Sequence, residues 1–326
     1  MSYEAFLEQS LKDFCSDLNP TVENNLKKDI LRSYLNDGTR PDEYLLYKFN
    51  VKRESERNEY MPQAVKDHLL ISYYGNRFKD IIGELRNKYR FFELSKDFFK
   101  RDIILIGPQT DNLLEFKQFC SLHTKFIAKE VDGGCGVGIK VVDSSSYDSI
   151  EELYIELSNA AIWMIEELIQ QHQEISSFNA SSVNTVRLPS FRHGDKVVAA
   201  RPCMRFGREG NIVDNAGQGG FFVSVDIDTG EIISDGFDEH GHKYPSHPDS
   251  NKTFKGFVVP QWKELIEVAQ KAHRSLPEDQ VYVAFDFALS DKGWVVVEGN
   301  WGDWILQQVS LEKGLRREFI SLLNDE

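Results

Sequence analysis

Two acidic residues interrupt the most apolar stretch of the chain, and they constrain its fold more than any other feature. Val281 to Leu289 and Trp294 to Glu298 read as two strands joined by a turn at Ser290 to Gly293, a β-hairpin, with Asp286 and Glu298 standing in runs that otherwise belong in a core. A carboxylate taken out of water needs a partner. Oxygens of Asp286, Glu298 and Asn300 converging on one place suit Mg²⁺, a hard cation that takes oxygen ligands and leaves room for phosphate groups. The plainer alternative is two strand-end acids facing water.

A second segment carries chemistry of a related kind. The strand pattern Lys125 to Lys129 delivers Lys129 into a loop with glycines at 133, 134, 136 and 138. Glycine-rich backbone approaches phosphate oxygens closely and donates several N–H groups, so Gly133, Gly134, Gly136 and Gly138 form a candidate phosphate cradle. The segment lacks the Gly-Lys-Ser/Thr ending of a P-loop and the spacing of a dinucleotide fingerprint. A flexible hairpin turn is the competing reading. Further on, Trp163 to Ile169 reads as a strand ending in Glu166 and Glu167, whose edge offers backbone groups to a planar base and whose acids accept from ribose hydroxyls. A solvated strand end is the bland alternative.

Arg187, Arg201 and Arg205 lie on strand patterns expected to be neighbours, where an arginine fork suits a phosphoryl group or a carboxylate; each taken singly is also an ordinary surface arginine. Asn184 precedes Arg187, but periodicity does not settle its face. Asp214 and Asn215, with Gly217 to Gly220, form a turn that orients substrate or is simply a turn. His240, His242 and His247 superficially suggest a metal, yet without cysteine on a Gly/Pro-rich loop they fit a solvated or substrate-facing loop better than zinc.

The 326 residues carry 38 Lys plus Arg against 52 Asp plus Glu, a net charge of −14, which argues against nucleic acid as a partner. Four cysteines without CxxC spacing fit a reducing cytoplasm. The start MSYEAFLEQSLKDFC has neither the basic nor the apolar region of a signal peptide, and no window approaches a membrane span. From Leu7 to about Lys100 the apolar spacing predicts three or four helices. After Lys100 comes a strand, helix, strand unit over 102–129, followed by strands at 161–166, 182–191, 196–205, 220–226, 281–289 and 294–298. Helices are expected at 149–158, 260–276 and 311–323. This is an α+β pattern.

Taken in order, Lys88, Lys129 with its glycine loop, Glu166-Glu167, Asn184 with Arg187, Asp286 and Glu298-x-Asn300 resemble the ATP-grasp superfamily. More narrowly, EYLLYKFNVKRESERNEY, KFIAKEVDGGCGVGI, EELIQQH, SSVNTVRL and VAFDFALSDKGWVVVEGNWGD resemble the sugar-transfer-associated ATP-grasp family, over about residues 40 to 320. Asn87 stands where many relatives carry Asp. The resemblance implies an α+β ATP-grasp fold with a helical N-terminal region over 1–95. A small subdomain with the glycine loop over 96–170 and a large subdomain with the Mg²⁺ site over 171–326 would clasp ATP between them.

It further implies Lys88 and Lys129 as phosphate ligands, the four glycines as a lid, and Glu166, Glu167, Leu168 and Glu174 around adenosine. Arg187 would hold the γ-phosphate, with Asn184, Arg201 and Arg205 at the reacting groups. Asp286, Glu298 and Asn300 would bind Mg²⁺, and Asp214, Asn215, Gly219 and Gly220 the substrate. The implied reaction is ATP-driven joining of a small-molecule carboxylate and an amine through an acylphosphate, on a sugar acid or amino-acid building block of cell-surface polysaccharide. No serine or cysteine nucleophile is needed. A phosphotransferase and a silent nucleotide-binding module are the alternatives.

Overall fold

Capping residues divide the first third into helices. The structure, a computed structural model, describes residues 2–15, 18–133, 138–302 and 304–325. The described residues open with α1 (Tyr3–Phe14), α2 (Pro20–Asp37), α3 (Pro41–Leu46), α4 (Glu54–Arg57), α5 (Gln63–Tyr74), α6 (Phe78–Arg86) and α7 (Lys88–Ser95). The Ser2 hydroxyl accepts from the Ala5 N–H at the start of α1, Pro20 and Pro41 open α2 and α3, and Gly38 closes α2 at φ 76°. The expected three or four helices are seven. Left-handed backbone at Lys48 (φ 56°) and Gly75 (φ 55°) adds breaks that apolar spacing does not reveal.

A small sheet follows, built from β1 (Ile103–Ile106), β2 (Lys125–Glu130), β3 (Ile139–Asp143) and β4 (Trp163–Glu167), with α8 (Leu113–Leu122) and α9 (Ile150–Ala160) between strands. Its order is β1-β4-β2-β3 and every pairing is antiparallel. Strand alternation then decides the faces. Ile104, Ile106, Phe126, Ala128, Trp163 and Ile165 pack with Phe116 and Leu153 of the two helices. Lys129, Met164 and Glu166 therefore project from the opposite face, and Met164 belongs to the core of the larger sheet.

After α10 (Gln173–Ser176) come β5 (Val186–His193), β6 (Lys196–Ala199), β7 (Cys203–Phe206), β8 (Phe221–Ser224), β9 (Gly236–Phe237) and β10 (Lys243–Tyr244). The chain ends with α11 (Trp262–Ser275), β11 (Tyr282–Ser290), β12 (Gly293–Asn300), α12 (Ile305–Ser310) and α13 (Arg316–Asn324). The large sheet runs β10-β9-β8-β7-β5-β11-β12, antiparallel throughout, with β6 beside β5. The single strand expected over 196–205 is two, because Arg201 turns to φ 48° and Pro202 supplies no N–H to a ladder. The helix expected over 311–323 is likewise displaced, to α12 and α13.

One face of the large sheet is apolar. Val186, Leu188, Met204, Phe206, Val223, Val283, Phe285 and Phe287 pack under Leu265, Ala269 and Ala272 of α11. Each such large side chain contributes about 1.5–3 kcal/mol by leaving water. The other face has two separate apolar patches. Phe191, Tyr282 and Ala284 lie under α5 and α13, while Cys203, Phe222 and Phe237 lie under α1, α3 and α12. Between these patches the same face turns polar.

Candidate active site

The polar strip is a consequence of register. Arg187 on β5 stands opposite Asp286 on β11, and Asp286 stands opposite Glu298 on β12, so all three side chains leave the sheet on one side. Arg187 forks onto Asp286, Nε to Oδ1 at 2.5 Å and Nη2 to Oδ2 at 2.9 Å. Arg205 adds Nη2 to Oδ2 at 2.7 Å. Burial opposes ionisation of the fully enclosed Asp286, yet the two guanidinium groups hold its carboxyl well below the usual carboxylate range. Glu298 behaves oppositely: burial and then the neighbouring Asp286 charge push its pKa up. Two carboxylates side by side with only one comfortably charged form a site that gains from another cation.

Arg205 extends the strip toward the turn at 214–220. Its Nη2 and Nε donate to the Thr185 hydroxyl at 2.7 and 3.0 Å, and its Nη1 donates to Asn215 Oδ1 at 3.3 Å. Asp214, buried, accepts from the Thr185 N–H at 2.9 Å and hydroxyl at 2.6 Å. Gly220 lies where an added Cβ would stand 2.5 Å from the Asp214 carbonyl oxygen, so only glycine lets this turn close onto β7. Gly219 supplies the left-handed step before it, at φ 85°.

The small sheet meets the strip from across the molecule. Lys129 pairs with Glu166 at 2.8 Å, and Arg101 donates to the same carboxylate through Nε at 2.7 Å. Burial of Glu166 opposes its charge, but Arg101 and Lys129 outweigh that and lower its pKa. Arg101 also donates Nη1 to the Val296 carbonyl at 2.7 Å, tying β4 to β12. Lys88 completes the bridge. Its Nζ donates to the Glu130 carbonyl at 3.2 Å and to the Gly133 carbonyl, and burial followed by Lys129 lowers its pKa against the opposing pull of Glu298, Glu166 and Asp132. Its position follows from Gly299, where an added Cβ would fall 2.2 Å from the Phe91 ring of α7. Without a side chain at 299, α7 packs against β12 and its first residue, Lys88, comes under the charge of Glu298.

Other expected residues are placed elsewhere. Arg201 is drawn to Glu318 of α13 at 2.6 Å, away from the strip, because its left-handed backbone breaks the strand alternation. Asn184 is buried but serves loops: its amide donates to Gln171 Oε1 and the Asn179 carbonyl at 2.8 Å, and its Oδ1 accepts from the Gly207 N–H. Glu167 is held by Lys292 at 2.9 Å and, with Leu168, lines a groove at the β4 end together with Arg101, Ile169 and Val295. Glu174 is exposed on α10. Gly133 and Gly138 are described, with Gly138 at φ 73°, whereas Gly134 and Gly136 lie outside the described residues. Asn300 Oδ1 accepts from the Gly302 N–H at 2.8 Å.

His242 bonds Asp238 and the buried His247 bonds the Gly207 carbonyl, so neither faces the other as a metal pair would. Among the described residues, Asp102, His123 and Glu167 are the group close enough to share a metal ion, with Glu167 already engaged by Lys292. Sequence reasoning missed Arg101, Thr185 and Lys66. Lys66 is fully buried and donates to the Trp301 carbonyl and, at 3.0 Å, to the Gly302 carbonyl, fixing the chain just beyond Asn300. A lone lysine within an apolar helix pattern was the available signal for it.

The profile of the family described as sugar-transfer associated ATP-grasp matches residues 85–322. No curated protein matches the chain. Among solved structures, D-alanyl-alanine synthetase A from Vibrio cholerae is 13% identical with a TM-score of 0.43, over 74% of this chain and 65% of that one. D-alanine-D-alanine ligase from Helicobacter pylori is 16% identical with a TM-score of 0.41, over 74% and 60%. N5-carboxyaminoimidazole synthase from Aspergillus clavatus, in complex with ADP and 5-aminoimidazole ribonucleotide, is 11% identical with a TM-score of 0.41, over 68% and 45%. The chain thus spans between 45% and 65% of the length of these neighbours.

Proposed function

The chain belongs to the sugar-transfer-associated ATP-grasp family, and from that premise we propose that it is an ATP- and Mg²⁺-dependent ligase joining a carboxylate to an amine. The observation carrying this reading is the meeting of two acids, two arginines and two lysines between the sheets: Asp286 and Glu298 with Arg187 and Arg205 on one side, Lys88 and Lys129 on the other. Mg²⁺ fits that donor set. Glu298 is a carboxylate whose charge is disfavoured by Asp286 beside it, and a divalent cation between them would remove the penalty. Asp286, Glu298 and Asn300 would hold it, and when bound it would neutralise phosphate charge and orient the γ-phosphoryl group.

The residues of the chain have definable tasks in such a reaction. Lys88 and Lys129, both largely enclosed, would donate to phosphate oxygens in place of the carbonyls and carboxylate they hold. Arg187 and Arg205, which flank Asp286, would present two guanidinium groups to the transferring phosphoryl group. The groove bearing Glu167 and Leu168 would take adenine. A substrate carboxylate oxygen attacks the γ-phosphorus and ADP leaves; the amine nitrogen then attacks the acyl carbon, phosphate leaves and the amine proton passes to solvent. This asks of the protein positioning and charge neutralisation, with no nucleophilic side chain. Asp214 and Asn215, beside Arg205, would orient the acceptor.

We assign the acid to a sugar acid or amino-acid building block of cell-surface polysaccharide, on the strength of the family description. The test is ADP and phosphate release with Mg²⁺ across a panel of uronic acids and amino acids, with product mass recorded. A condensation product supports the ligase; a phosphorylated acceptor without amide replaces it by a phosphotransferase, and absence of turnover across the panel counts against the enzyme reading.

A further inference from the structure

A second charged cleft lies away from the acids. It opens between the segment after α3, the β9 strand, the turn at Gly241 and the end of α12, has a small interior of about 20 Å³, and has Tyr47, Tyr60, Phe237 and Val309 in its walls. Its mouth carries Lys48, Lys52 and Glu312, and Lys243 joins them from β10. In a chain of net charge −14, three ammonium groups thus gather beside two carboxylates, Glu312 and Glu56. Glu312 is shared, 2.6 Å from Lys243 and 3.7 Å from Lys48. Lys52 makes no close ion pair among the described residues, although the Glu312 and Glu56 charges act on it, and lies 5.3 Å over the Tyr60 ring, as Lys243 lies 5.5 Å over Phe237.

The backbone holds these groups in place at a cost. Lys48 (φ 56°) and Glu312 (φ 50°) are both left-handed without being glycine, and they meet across the mouth of one cleft. Gly241 (φ 76°) closes the third side, with Leu46 3.2 Å from where its Cβ would stand. Strained residues gathered on opposite sides of a concave surface are the pattern of a ligand clamp. Burial and then Lys48 lower the pKa of Lys52 against the opposing pull of Glu312 and Glu56, and a bound anion would relieve the remaining penalty on its charge.

We infer that this cleft is a binding site for a compact oxyanion, a phosphate or carboxylate group carried by a small molecule, held by Lys48, Lys52 and Lys243. Lysine suits such a ligand as a point charge without a fixed fork, and the aromatic walls lower the local polarity and strengthen each contact. The site is separate from the acids of the large sheet and does not depend on the ligase reading. It does share α12 with them, since that helix follows the loop after Asn300 and ends at the cleft.

Calorimetric titration of the full chain, with ADP and Mg²⁺ saturating so that the first site is occupied, tests this. Inorganic phosphate, glucose 1-phosphate and glucuronate are the anionic probes, and glucose is the neutral one. At least one anion should bind with one equivalent, glucose should not, and Lys52→Gln should weaken the anion about tenfold while Glu312→Gln tightens it about threefold. Thermal melts check that both variants fold. Tighter binding of glucose 1-phosphate than of phosphate would identify a sugar phosphate as the source; equal affinity would identify free phosphate. Binding unchanged by Lys52→Gln, uptake of glucose equal to that of the anions, or no anion bound would overturn the inference.

Discussion

Asp286 and Glu298 face each other across one rung of the β11–β12 ladder, yet their environments drive them apart. Asp286 takes two guanidinium forks and stays charged; Glu298 gets the repulsion and holds its proton more tightly than an ordinary glutamate. A raised acid contributes stability below its ordinary pKa and loses it as pH rises through the raised one. Glu298→Gln should therefore leave the fold intact, and without Mg²⁺ should raise the melting temperature at pH 8. The same change should lower Mg²⁺-dependent ATP turnover by at least about a hundredfold, the order seen when one charge-stabilising group is removed. Turnover at wild-type level would remove Glu298 from the metal site. Its position was legible in the sequence because an acid in an apolar run is conspicuous; its unequal partnership with Asp286 was not, since the arginines that cause it come from β5 and β7.

At the scale of elements, a glycine and a buried acid carry the arrangement of the helical region. Gly299→Ala would drive a methyl group into the Phe91 ring, and overpacking of this kind costs about 1–3 kcal/mol. Denaturant unfolding should show that loss, and the ATP KM should rise because Lys88 moves with α7; Phe91→Leu in the same chain should restore both in part. Glu43 gives a pH dependence. It is fully buried at the start of α3, where it accepts from the Gln63 N–H at 2.7 Å and the Arg40 N–H at 2.9 Å. Burial outweighs Arg40 and pushes its pKa from 4.5 to about 7.

Stability from the protonated form is fully present below pH 4.5 and is lost as pH rises to about 7, a loss of about 3 kcal/mol by proton linkage. Urea midpoints measured from pH 4.5 to 8 should fall across that window in the wild type and fall less in Glu43→Gln. Periodicity located these helices without counting them, because Lys48 and Gly75 end them by backbone conformation rather than by a change of hydropathy.

Over the whole molecule, the two sheets are joined through Arg101. Its guanidinium spans Glu166 on β4 and the Val296 carbonyl on β12, nearly out of water. Arg101→Met would leave Glu166 with Lys129 alone, and breaking one side of a buried pair costs about 3–5 kcal/mol. Amide exchange should quicken in β1, β2 and β4 more than in the large sheet, since the small sheet loses its tie while the α11 core is untouched. Equal acceleration of both sheets would mean that Arg101 supports a single cooperative unit instead. Arg101 precedes the first small-sheet strand in an unremarkable Lys-Arg-Asp stretch, so nothing local announced the role.

Local chemistry alone singled out the candidate segments: an apolar hairpin with two acids, a strand ending in lysine before glycines, and a strand ending in paired glutamates are each readable because backbone alternation and burial act within a few residues. Strand patterning also put Arg187, Arg201 and Arg205 on neighbouring strands without settling their faces. It left open which of Arg201 and Arg205 faces the acids, since one left-handed residue at 201 breaks the alternation and sends Arg201 to Glu318 while Arg205 reaches Asp286. Nor did it say that the N-terminal helices flank the charged strip on both sides. Those outcomes depend on contacts between residues a hundred or more positions apart, such as Lys66 against Trp301 and Phe91 against Gly299, and such contacts exist only once the chain has folded.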